Sequence, residues 1–139
     1  MATYNKYQEF VEDLIEGIHD FDGHVFKVAL TDAAPNLDTH VVRADITELA
    51  TGNGYTQDGH TTTIGGTAEA AGTVSVTATD VVVTASGAVG PFRYSVLYNT
   101  TPAGPVDPLI ANWDYGSSIS LANTETFTTD FGATLFTLV

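Results

Sequence analysis

Gly90-Pro91-Phe92-Arg93-Tyr94-Ser95-Val96-Leu97-Tyr98-Asn99 is the stretch that decides the fold. Phe92, Tyr94, Val96 and Tyr98 fall on one set of alternate positions and Arg93, Ser95, Leu97 and Asn99 on the other, which is the two-residue period of a strand. The run predicts a central strand. On either side of it, short alternating or β-branched segments recur between Gly, Asn, Asp and Pro. Strands are expected near 60–65, 72–78, 80–86, 108–115, 117–121, 124–129 and 133–138, the spacing of a sandwich or barrel. The pairs 72–78 with 80–86, joined at Thr79-Asp80, and 108–115 with 117–121, around Gly116, read as hairpins.

Before residue 60 the pattern is different. Tyr7, Phe10, Val11, Leu14, Ile15 and Ile18 recur at steps of three and four, with Glu9, Glu12, Asp13 and Glu16 opposite, so residues 1–20 hold an amphipathic helix. Closing its own core is one use for that stripe, and docking as an arm on a neighbour is the other. Asp20, Asp22 and Gly23 stop the helix, and Phe26, Val28 and Leu30 alternate with Val25, Lys27 and Ala29 as a strand over 24–30. Residues 31–39 read as a loop and 44–50 as a short second helix, with Asp45 and Glu48 in capping-box spacing. Gly52, Asn53, Gly54, Asp58 and Gly59 make 51–59 a turn region that Tyr55 pins to the body. The expected fold is therefore mainly β, with antiparallel sheets in a β-sandwich or barrel-like arrangement. It carries one N-terminal helix, a short second helix and its main sheets in 60–139, all within one domain spanning 1–139.

Composition narrows the function. Of 139 residues, 43% are apolar and 15% charged, enough for a core, and no cysteine is present to form a disulfide, a thiolate metal site or a thiol nucleophile. Seventeen acidic residues face only Lys6, Lys27, Arg43 and Arg93, a formal net charge of −13. Such a surface repels phosphate backbones and anionic lipid, which argues against nucleic acid and membrane as partners. The opening residues lack the pattern of a secretory signal, and no apolar run approaches the ~18 residues of a membrane span, so synthesis and folding in a cytoplasm are expected.

No catalytic constellation stands out. His19, His24, His40 and His60 are the histidine bases available, and none sits in a nucleophile or acid–base motif. His19, Asp20, Asp22 and His24 could offer a cation four ligands, but their spacing is that of a solvated turn, and the Asp20–Gly23 segment lacks the ordered oxygens and closing Glu of a calcium loop. Gly52-Asn53-Gly54 and Gly65-Gly66 lack the Lys and Ser/Thr of a phosphate loop. Catalytic, cofactor and metal sites are therefore not expected. Aromatic side chains are the conspicuous feature: Tyr7, Phe10, Tyr55, Phe92, Tyr98, Trp113 and Tyr115 are candidate interface residues, and Leu135, Phe136, Leu138 and Val139 form an apolar end that needs cover. Trp113 beside Tyr115 also permits sugar stacking, the reading of a carbohydrate-binding module.

The segments ITELATGNGYT (46–56), GPFRYSVLYN (90–99), LIANWDYG (109–116) and TFTTDFGATLF (126–136) resemble small virion proteins of tailed bacteriophages. The resemblance implies a structural role, above all that of a capsid decoration or cement protein whose β-rich body sits on the outer shell. Its partners would be the major capsid protein and copies of itself, commonly as trimers. A tail component, such as a tube, terminator or fibre-associated module, is the alternative. The matched segments are turns and strand cores, so the resemblance brings no active-site residue with it.

Overall fold

The computed structural model describes residues 2–139. The stretch 90–99 lies within the strand Val89–Asn99 (β7), the middle of a five-stranded antiparallel sheet. The other members are β1 (Thr3–Lys6), β2 (Phe26–Thr31), β3 (His60–Thr62) and β8 (Leu109–Leu121), in the order β1-β8-β7-β2-β3. A second layer consists of the sheet β10-β5-β4, built from Phe136–Leu138 (β10), Thr73–Ala78 (β5) and Ile64–Ala70 (β4), and of the pair β6 (Val81–Thr84) with β9 (Thr126–Thr129). One α-helix, α1 (Glu9–Ile15), closes the β10 end. The mainly β, sandwich-like fold agrees with the sequence expectation.

The large sheet is covered on both faces. Toward the second layer, Phe26, Val28, Leu97, Ala111 and Trp113 pack on Val76, Val81, Phe131 and Leu135, and Leu30 and Phe92 pack on Val83 and Phe127. On the opposite face Ala29, Val96, Tyr98 and Leu109 lie beneath Tyr7, Ile46 and Leu37. Each large apolar side chain so enclosed contributes roughly 1.5–3 kcal/mol by leaving water. Phe92 departs from the alternation expected of it: an irregularity between Phe92 and Tyr94 shifts the parity, so Phe92 shares a face with Leu97, and Tyr94 keeps to that of Val96 and Tyr98.

Several expected elements differ. Thr79-Asp80 does not close a hairpin, because neither residue takes the positive φ that a two-residue turn requires. Asp80 Oδ1 instead accepts the Phe131 N–H at 2.9 Å, and the chain passes there from one sheet of the second layer to the other. The tight turn lies at Ala71-Gly72, with φ of 51° and 83°, between β4 and β5. Gly116 does not turn the chain either. Its N–H donates to Asp114 Oδ1 at 2.8 Å and its φ is 84°, so it forms a bulge within the continuous strand β8.

Near the N-terminus, β1 precedes the helix and pairs with β8, so the first residues are an edge strand of the main sheet. The helix itself runs for seven residues and buries Phe10 and Asp13, whereas Val11 and Ile15 of the expected apolar stripe face solvent. The main sheet thus draws strands from both sides of residue 60. The expected second helix reduces to a 3-10 turn, Arg43–Asp45. The box expected between Asp45 and Glu48 does not form: Asp45 stands at the third position of the turn and its Oδ2 accepts the N–H groups of Val41 and Val42, while Glu48 is engaged elsewhere.

Gly59, at φ 73°, brings the 51–59 turn against the sheet, where an added Cβ would lie 2.4 Å from the Val28 carbonyl oxygen. Gly59→Ala is expected to lower stability in urea unfolding by about 2 kcal/mol or more. A loss below about 0.5 kcal/mol, the range of a neutral surface substitution, would contradict this close approach.

Candidate interaction surfaces

Six of the seven aromatic candidates, Tyr7, Phe10, Tyr55, Phe92, Tyr98 and Trp113, are buried inside the chain, and Tyr115 is half-buried where two parts of the core meet. This corrects their reading as interface: the aromatic density serves a sheet with two covered faces, leaving almost no ring surface for a partner. Trp113 is 5% exposed, with Tyr4 and Phe131 in edge contact at centroid distances of 5.5 and 5.0 Å. A sugar ring has no open indole face to stack on there, although Trp113 and Tyr115 do border a pocket of about 410 Å³ with Asp130.

The segment 46–56 is organised around a buried anion. Glu48 accepts from Arg43 Nη1 at 2.9 Å, the Tyr55 hydroxyl at 2.6 Å and the Asp58 N–H at 2.9 Å. Arg43 also reaches Asp58 and Asp107, at 2.9 and 3.3 Å, and lies over the Tyr98 ring. Burial and the bond to Glu48 push the Tyr55 hydroxyl far above its ordinary pKa, so it remains a donor. Tyr55 in turn accepts the Leu30 N–H at 2.9 Å, while the Leu30 carbonyl takes the Leu49 N–H. Both polar groups of Leu30, just past the end of the β2–β3 ladder, are thereby satisfied.

The histidines are turn and core elements. Asp20-Phe21-Asp22-Gly23-His24 and Asn36-Leu37-Asp38-Thr39-His40 fold identically: the first side-chain Oδ1 accepts the N–H groups two and three residues on, and its backbone bonds to both the N–H and Nδ1 of the histidine. Sequence reading missed this pair, although the shared pattern of Asp or Asn, then Asp two on and His four on, is visible. His60 accepts the Thr56 N–H and tilts against Tyr55. Among the described residues, no three His, Asp or Glu side chains gather as metal ligands. Asn99 Nδ2 donates to Nδ1 of both His19 and His24, and His19 Nε2 lies 3.8 Å from Asp13 Oδ2, each without a hydrogen-bond partner.

Two further clefts flank β10. One cleft, of about 500 Å³, runs between the turn after α1 and the β4–β5–β10 sheet, and another, of about 440 Å³, lies between β10 and Tyr4, Lys6 and Phe10. Phe136 and Leu138 line both. Nearby on α1, Val11 and Ile15 sit one turn apart, and Ile15 is 84% exposed. No protein-family model, curated protein or solved structure matches the chain. The polar networks hold loops in place, and exposed apolar side chains occur on α1 and at Leu138 but also at Val25, Val82 and Val106. Among the described residues no helix is long and apolar enough to cross a membrane.

Glu48→Ala removes three hydrogen bonds from a buried cluster and leaves the Tyr55 donor unpaired, so stability is expected to fall by about 3 kcal/mol in chemical denaturation. A loss under about 1 kcal/mol would mean the anion is dispensable. The Asp13–His19 pair predicts a pH effect. Burial, with a smaller contribution from His24, lowers the His19 pKa from 6.5 to about 4. The unfolded chain therefore binds a proton that the folded chain refuses, and stability falls as pH drops from 6.5 toward 4. Asp13, raised by burial and by Glu9, Glu16 and Glu12, acts with the opposite sign in the carboxylate range. The loss is thus expected mainly between pH 6.5 and about 5, on the order of 2 kcal/mol. A urea midpoint that is flat across this interval, or a His19 that titrates near 6.5 by NMR, would contradict it.

Proposed function

We propose that the chain is a structural protein of a tailed-phage virion, a decoration or cement protein that binds the outer face of the shell after its synthesis in the host cytoplasm. One observation carries the reading: the four segments that resemble such virion proteins fall on the parts that build this body. Residues 46–56 hold the buried Glu48 network, 90–99 lie in β7, 109–116 in β8, and 126–136 run from β9 to the first residue of β10. A resemblance confined to surface loops would carry far less.

The physical character of the chain suits that role. Loops clamped by buried polar networks give a rigid body, so docking costs little conformational entropy. The charge of −13 keeps free copies apart until they meet a complementary surface. Contacts with the major capsid protein and with further copies, each weak, gain strength through repetition over the shell. A place in the tail is the competing setting, and copy number separates the two.

Cryo-electron microscopy of purified particles, with quantitation of the chain against the major capsid protein, is the test. Density at symmetry-related positions over the outer shell, in many copies, is expected. Density confined to the tail, or a few copies per particle, would move the chain to the tail, and absence from the particle would end the virion reading.

A further inference from the structure

The larger cleft beside β10 has a composition that selects its occupant. Val76 and Phe136, paired across β5 and β10, reach the core, whereas the next pair on the same face, Val74 and Leu138, is left uncovered, with Leu138 41% exposed. Leu14 of α1 and Phe21 complete an apolar lining of about 500 Å³, room for one large side chain. Asp20 and Asp22 stand at this cleft. Asp20 Oδ1 is occupied by its own turn, but among the described residues no hydrogen bond or ion pair engages the Asp22 carboxylate. Between Lys6 and Lys27 the sequence adds Glu9, Glu12, Asp13 and Glu16 and contains no Lys or Arg.

We propose that this cleft docks a peptide segment of another protein that presents one aliphatic or aromatic side chain flanked by lysine or arginine. The apolar lining supplies the pocket for the anchor, and the acidic turn selects cationic flanks over neutral or acidic ones. A second copy of the chain fits poorly as occupant. It carries the same −13 charge, and its four basic residues are dispersed, with Arg43 and Arg93 already paired to carboxylates. The preference follows from the cleft's own chemistry and holds whether or not the chain sits on a virion.

The test is an amide NMR titration of the folded chain with a short capped peptide bearing phenylalanine between two lysines, compared with peptides in which glutamates replace the lysines or serine replaces the phenylalanine. Shifts confined to residues 14–22, 67–76 and 136–138 are expected with the first peptide alone, and they should weaken severalfold in high salt. Asp22→Asn is expected to weaken binding about threefold. Leu138→Ser is expected to weaken it about tenfold, while the amide spectrum of the free variant remains that of the folded chain, since Leu138 is 41% exposed. Absence of shifts, equal response to the glutamate peptide, or shifts mapping elsewhere would overturn the proposal. Self-association of the chain abolished by Leu138→Lys would overturn it too, by making a second copy the occupant.

Discussion

The structure turns on the burial of β7 on both faces. In an antiparallel sheet one face commonly stays wet, which is the economical solution for a small chain. Here Phe92, Ser95 and Leu97 point into one layer and Val96 and Tyr98 into another, so two covers are required. Short strands supply the first, and their backbone groups pair with one another. An irregular layer, residues 31–58, contributes much of the second, and its polar groups need partners that no ladder supplies. Glu48, Arg43 and Tyr55 meet that need, and the Leu30 backbone is where the layer joins the sheet. The buried anion is therefore a consequence of a two-faced sheet, and separating it from its partners would expose Tyr98 and Ile46.

This arrangement still leaves some apolar side chains uncovered. The aromatic side chains are consumed by the two covers, and the uncovered apolar groups include Val11 and Ile15 on a single-turn-spaced helix face and Leu138 at the edge of the smaller sheet. Acidic residues surround them and basic ones are few, which gives that end of the molecule an electrostatic preference as well as an apolar one. A body with its loops locked can bind without rearranging, which is the property a repeated, additive contact on a large assembly requires.

Much of the β architecture was legible because alternation survives in the strands that matter. β2, β7 and β9 fall where the pattern of Phe26-Val28-Leu30, of 91–99 and of 124–129 places them, and Tyr55 does pin its turn. The misses have physical causes. Thr3–Lys6 is a polar edge strand held by pairing to β8, so no hydrophobic period marks it. β4, made largely of Gly, Ala and Thr, is defined by its partner β5. The α1 stripe misled because Asp13 and His19, polar by type, took interior places while Val11 and Ile15 stayed outside, a choice made by packing on β8 and Phe136. The interface assignment failed for a related reason: aromatic residues on both parities of a strand signal two covers as readily as a partner. The acidic cleft was invisible in one dimension, since its walls come from residues 14–22, 67–76 and 136–138.

Native-state amide hydrogen exchange addresses the central claim most directly. If the loop layer is an integral cover of β7, the amides of Leu30 and Leu49 exchange only with the global unfolding that releases Val96 and Leu97. Exchange of Leu49 and Leu30 by a separate, low-energy opening while Val96 and Leu97 stay protected would show that the sheet holds with one face bare, and would contradict the account.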